Sequence, residues 1–181
     1  MKAERVVHKV TKYKVASQIL KSLSIMKNIY TYKTQIGEIF IAEENNQIIN
    51  FYFAKPKNIN DFIFKETPIL KQAKIQLMQY FDGKLKFFNL PLNPQVSNIS
   101  KTVLKQLQKI PYGKTNSYSD IANAIKKPTY SRAVGMICGK NPIPVFIPCH
   151  RVICSNGSLG GFSSGIKLKQ YLLNMEKNKN A

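Results

Sequence analysis

Apolar and polar positions alternate from Ile29 to Phe53, a stretch rich in Ile, Tyr and Phe. A period of two predicts strands with one buried face, and breaks at Gly37 and at Glu44-Asn45-Asn46 divide the stretch into a small antiparallel meander. The period then lengthens. Leu70, Ala73, Leu77, Met78 and Phe81 recur at helical spacing, Thr67-Pro68 offers an N-cap and a first-turn proline, and Gly83 a stop. One amphipathic helix is predicted there. Phe88 to Pro94 reads as a last short strand running into a linker.

From Ser97 the pattern is helical. Ser97 can cap a helix with the stripe Ile99, Val103, Leu104, Leu107 and Ile110, stopped by Pro111 and Gly113. A short helix is predicted from about Tyr118 to Lys126 and another, after Lys127-Pro128, from about Thr129 to Cys138; joined by a tight turn, the pair has helix-turn-helix proportions. A helix from about Ser164 to Glu176, with Ile166, Leu168, Leu172 and Met175 facing inward, ends the fold. The fold class expected is α+β, with a small N-terminal sheet-and-helix domain over 26–93 and a helical C-terminal domain over 94–181. Residues 1–25 hold six Lys/Arg and one Glu without clear alternation. They read as a basic extension: an arm, a weak helix, or translation begun upstream of a true start at Met26.

Composition adds a partner class. At 181 residues and 44% hydrophobic content the chain can bury a sizeable core in one domain or two small ones. No apolar run approaches the roughly 18 residues of a membrane span and no secretory signal is visible, so the expected location is cytoplasmic, away from membranes. A formal charge of +19 favours a polyanion such as DNA or RNA, although Lys supplies all but three of the 28 basic residues, as A/T-rich coding would produce. The arginines are more telling. Arg5 lies in the extension, while Arg132 and Arg151 stand near the cysteines, where the planar guanidinium offers what Lys does not.

The candidate chemistry centres on Cys149. The cysteines Cys138, Cys149 and Cys154 are odd in number and clustered late, unlike a disulfide framework. Cys149 is followed directly by His150 and Arg151, which can promote a thiolate, and Pro144-Val-Phe-Ile-Pro148 makes its approach stiff and apolar. His8 lies in the extension, which leaves His150 as the histidine of the folded part. After Asp120 the sole acid is Glu176, the natural partner for that imidazole or else a solvated terminal residue. The spacing of Cys138, Cys149, His150 and Cys154 is unlike a zinc site, and Cys138 and Cys154 taken singly read as buried small hydrophobes. A thiol hydrolase built on Cys, His and an acid remains open on these residues alone.

The string Asn141-Pro-Ile-Pro-Val-Phe-Ile-Pro-Cys-His-Arg-Val152 resembles the active-site signature of O6-alkylguanine-DNA alkyltransferases. Ile110-Pro-Tyr-Gly113, Ser117-Tyr118, Arg132-Ala-Val-Gly135, Gly160-Gly161 and Leu172-Leu173 with Glu176 support it in order, so that the likeness covers about Ile29 to Lys177. It implies a ribonuclease-H-like N-terminal domain and a C-terminal domain whose helix-turn-helix enters the minor groove of duplex DNA. The nucleotide is flipped, and Arg132 matches the side chain inserted in its place. It further implies that Cys149 takes the alkyl group of O6-alkylguanine, chiefly O6-methylguanine with O4-methylthymine as a further candidate, once and irreversibly. His150 would accept the thiol proton through a water, Glu176 would orient it, and Tyr118 would donate to the guanine oxygen. Asn141 matches a hinge between the DNA-binding helix and the pocket; Tyr130, Ser131, Ala133, Gly135, Arg151, Phe162 and Ser163 complete the expected DNA- and substrate-binding set. No metal or cofactor is implied, and a monomer is expected.

Departures from the family pattern fall at Tyr130 and Ser131, where small residues are usual, and at Phe162, where tyrosine is common. Of the rival readings, a lesion-binding module that transfers nothing would lack the reactive cysteine, and a thiol hydrolase would turn over and ignore DNA.

Overall fold

The computed structural model describes residues 27–179; the extension over 1–25, with Arg5 and His8, and a strand start at Met26 lie outside them. β1 (Lys27–Thr34), β2 (Gly37–Glu44) and β3 (Gln47–Tyr52) form the antiparallel meander. Asn45 and Asn46 at the second turn take φ of 52° and 60°, the left-handed pair that a two-residue turn needs to match strand twist. Strict alternation fails in β2, where Ile39 and Ile41 enter the main core while Phe40 and Ala42 join Ile29 and Ile49 on the opposite face. Both faces of that strand are covered.

The fourth strand is not the expected one. β4 (Phe62–Phe64) pairs parallel with β1, giving the order β3-β2-β1-β4; three residues are too few for periodicity to register. Phe88 to Pro94, expected as a strand, makes only a bridge between Leu92 and Ile48, with Ile48 N–H donating to Pro91 O at 2.8 Å and Asn93 N–H to Ile48 O at 2.8 Å. Pro91 and Pro94 have no N–H, so the ladder cannot propagate.

α1 (Pro68–Phe81) buries Leu70, Ala73, Leu77, Tyr80 and Phe81 against the sheet, with Met78 at its margin. Thr67 holds the N-cap position, yet its hydroxyl caps nothing. α2 (Asn98–Leu107) is capped by Ser97, whose Oγ accepts from Ser100 N–H at 3.4 Å. The helix ends before Ile110, which is still buried.

Two short parallel strands, β5 (Asn116–Ser117) and β6 (Val152–Ile153), then join distant segments. β5 runs directly into α3 (Tyr118–Ala124), fixed by a reciprocal capping box between Ser117 and Asp120. α4 (Ser131–Gly139) follows a single 3-10 turn at Pro128–Tyr130, so the helix expected from about Thr129 to Cys138 is split. α5 (Ile166–Asn178) buries Leu172 and Met175 as expected, but Ile166 is 45% exposed. Ile166 opens the helix at the surface, and Lys169 takes the inward position instead.

The core crosses both halves. Phe51 of β3 meets Phe146 edge to face at 5.6 Å, Phe88 meets Phe146 at 4.8 Å, and Phe51 N–H donates to Pro142 O at 2.8 Å. The segment that holds Cys149 is thus clamped from the sheet side. Among the described residues no helix is long and apolar enough to cross a membrane.

Candidate active site

Residues 143–150 are buried throughout. Val145 sits at φ 73°, a strained setting for a β-branched residue that persists because the surrounding packing dictates it. The chain then closes in a 3-10 turn, Cys149–Arg151. Asn141 pins this segment to the end of α4: its Nδ2 donates to Ile147 O at 2.9 Å and to Cys149 Sγ at 3.2 Å, and its Oδ1 accepts from Ile143 N–H at 3.1 Å. Burial pushes the Cys149 thiol up, and the Asn141 donation and the Lys169 charge offset this only in part. The resting sulfur is a thiol.

His150 and Glu176 are fully buried and bonded, Nε2 to Oε1, at 2.8 Å. Burial alone would raise the Glu176 carboxyl, but the His150 hydrogen bond and the Arg151 guanidinium outweigh it and hold the group at about 2. Burial, helped by Arg151 and Lys169, lowers His150 against the pull of Glu176. The imidazole is therefore neutral near neutral pH. A carboxylate can only accept, so the ring proton sits on Nε2 and the lone pair on Nδ1, a nitrogen with no hydrogen-bond partner among the described residues. That is the tautomer a proton acceptor requires.

Arg151, expected at the DNA, is spent inside the protein. Its Nε donates to both Glu176 oxygens at 3.1 and 3.0 Å, Nη2 to Oε1 at 2.9 Å, and Nη1 to Ile110 O at 2.7 Å, with only 4% of the residue exposed. A phosphate cannot reach a fork already filled by a carboxylate. Gly113 N–H adds a bond to Glu176 Oε2 at 3.0 Å, so Ile110-Pro-Tyr-Gly113 forms the cradle of this ion pair.

The β5–β6 pairing brings Tyr118, the residue after β5, beside the turn that precedes β6. Burial and the neighbouring cysteines push its phenol up to about 12, so it remains a donor. Tyr118 shares an open cleft of about 490 Å³ with Ser131, Arg132, Gly135 and Phe162, four more of the expected residues. Tyr130 stands outside it, 39% exposed, with Lys127 Nζ 4.9 Å from its ring centre. Ala133 faces a separate groove between α2 and α4, and Ser163 is exposed.

Sequence reasoning missed Lys169, Tyr80 and the steric role of Gly160. Lys169 Nζ donates to Val152 O and Leu159 O, each at 2.5 Å, and lies 5.9 Å from the Tyr118 ring centre, tying the chain after Cys149 to α5. Tyr80 Oη donates to Glu176 Oε1 at 2.6 Å. Both stand on the inward stripes of their helices, and a buried lysine or tyrosine needs a polar partner. Gly160 has φ 65°, and a Cβ there would lie 2.7 Å from Tyr118 Oη and 3.3 Å from Cys154 Sγ. Gly160→Ala should cost about 1–2 kcal/mol from its left-handed backbone alone and turn Tyr118 aside. An unchanged denaturation midpoint would contradict that backbone cost.

Comparison with known proteins agrees in both halves. Residues 29–94 match the family model described as 6-O-methylguanine DNA methyltransferase, ribonuclease-like domain, and residues 98–178 match the DNA binding domain of the same name. The constitutive methylated-DNA–protein-cysteine methyltransferase of Bacillus subtilis is 40% identical over 158 residues, 83% of this chain and 96% of that protein. Its counterpart in Methanosarcina acetivorans is 40% identical over 148 residues, 80% of this chain and 95% of the other. The crystal structure of Mycobacterium tuberculosis OGT in complex with DNA aligns with a TM-score of 0.79 at 34% identity, over 84% of this chain and 94% of that one.

Proposed function

This chain belongs to the 6-O-methylguanine DNA methyltransferase family, and we propose that it repairs DNA by moving the alkyl group of O6-alkylguanine onto its own Cys149. The observation that carries the residue assignment is the Cys149 thiol, held by Asn141 next to a neutral His150 whose proton is fixed on Nε2 by Glu176. The thiol proton passes through a water to His150 Nδ1. The thiolate attacks the alkyl carbon in line, the S–C bond forms as the C–O6 bond breaks, and the bonding pair stays on the guanine, whose oxygen accepts from Tyr118 Oη. A thioether is not opened by water, so each molecule acts once.

The substrate is duplex DNA met by a monomer, with α3 and α4 acting as the helix-turn-helix. Arg132 is exposed at the mouth of the cleft, where it can replace a flipped nucleotide in the stack. Ser131, Gly135 and Phe162 would line the pocket and Tyr130 would lie against the splayed duplex.

Incubation with an O6-methylguanine duplex tests this reading by intact and peptide mass. One methyl should appear on the Cys149 peptide and be lost entirely in Cys149→Ser. Tight DNA binding without any mass change would sink it in favour of a lesion-binding module.

A further inference from the structure

Tyr80 lies on α1, in the half of the chain that matches the ribonuclease-like domain, yet its hydroxyl ends inside the charge cluster of the other half. Its Oη donates to Glu176 Oε1 at 2.6 Å and lies 3.4 Å from His150 Nε2, and the residue is fully buried. Orientation of Glu176 does not depend on it. Arg151 supplies a forked set of bonds to both carboxylate oxygens and Gly113 N–H holds Oε2. What Tyr80 adds is a strong donor on the same oxygen that accepts from the imidazole.

We propose that Tyr80 is a positioning residue that tempers the Glu176 carboxylate and so favours the uncharged form of the resting Cys149–His150 pair. Each donor on Oε1 withdraws charge from the bond to Nε2–H, and a less negative partner stabilises an imidazolium less. Moving the thiol proton from Sγ to Nδ1 creates that imidazolium. The weaker the pull of Oε1, the smaller the thiolate fraction at rest. The 3.4 Å approach to Nε2 acts in the opposite sense but is too long to outweigh a 2.6 Å bond.

The charged and titratable groups that bear on His150 pull in two directions, with Glu176 alone favouring the imidazolium. Arg151 and Cys149 flank it on its own turn, Lys169 and Glu176 approach from α5, Tyr80 comes from α1, and Tyr112, after α2, packs against Tyr80 with ring centres 5.7 Å apart. Apart from Glu176, the ionised groups among them are cations that oppose an imidazolium. A protein whose nucleophile works once gains from this restraint, because a resting thiolate is open to every passing electrophile. The sheet domain thereby sets the reactivity of a cysteine it does not contain.

The inference rests on Cys149 and His150 as acceptor and base, and its test needs no DNA. Alkylation of Cys149 by iodoacetamide, read on its peptide, is followed from acid to alkaline pH in the wild type and in Tyr80→Phe. One hydrogen bond should change the imidazolium equilibrium about two- to tenfold, so the ratio of the neutral-pH rate to the alkaline limit should rise by that factor in Tyr80→Phe. In a His150→Gln background the same substitution should leave the ratio unchanged. An equal ratio in wild type and Tyr80→Phe overturns the proposal. So does an increase that persists without His150, which would mean greater exposure of the thiol. If Tyr80→Phe does not fold, 3-fluorotyrosine placed at position 80 alone, a stronger donor of similar size, should lower the ratio; no change again overturns it. Methyl transfer from duplex DNA with an unaltered iodoacetamide ratio would dismiss Tyr80 while leaving Cys149 as the acceptor.

Discussion

Arg151→Met should destabilise the fold by about 3–5 kcal/mol, the usual cost of stranding a buried charge by removing its partner. Glu176 is fully buried, and Arg151 provides both of its forked contacts along with a positive charge that, together with the His150 hydrogen bond, keeps the carboxyl ionised. Methionine fills much of the same volume but returns none of these, and it also releases Ile110 O from its bond. Chemical denaturation measures the loss as a lower midpoint at an unchanged slope. Adding Glu176→Gln should recover a large part of it, because the stranded charge is then gone. A cost under about 1 kcal/mol for the single variant, or no recovery in the double, would show that the pair is not the buried ionic anchor described.

Acidification should unfold the protein in two stages that belong to the same cluster. His150 has its folded pKa lowered below 6.5. Below that value the unfolded chain takes up a proton that the folded chain refuses, so stability falls as pH falls. Glu176 adds a contribution that is present above its ordinary value of 4.5 and is lost as pH drops towards about 2. The interval corresponds to about 3 kcal/mol. Thermal unfolding followed from about pH 8 to pH 3 should show a flatter upper stage in His150→Gln and a flatter lower stage in Glu176→Gln, each against the wild type. Curves parallel to the wild type in both variants would contradict the charge states assigned to this pair.

Much of the architecture was legible because it depends on local pattern. The meander between Ile29 and Phe53 and the helix closed by Gly83 are written in spacing and turn residues, and the structure has them. The failures also have local causes. β4 is three residues long, below the reach of any period, and the expected strand at Phe88 to Pro94 contains prolines that stop a ladder. Spacing alone points Ile166 inward, but as the first residue of its helix it lies at the surface.

The candidate site divides in the same way. Scarcity singled out His150 and Glu176, since few residues near Cys149 could serve as base or acid, and the order of motifs supplied the likeness to the alkyltransferases. Which of these residues face DNA and which face each other depended on burial. Arg151 belongs to the DNA- and substrate-binding set that the resemblance implies, but the fold brings Glu176 from 25 positions away to occupy its fork. Tyr80 is 96 positions from Glu176 and joins it only because the sheet domain packs on the helical one. Sequence by itself determined most of the elements and singled out the candidate nucleophile and its candidate helpers, because periodicity and residue type act over a few positions. Tertiary structure alone decided the imidazole tautomer, the resting protonation of the Cys149 thiol and the inward turn of Arg151, because desolvation and charge pairing arise only when distant segments exclude water together.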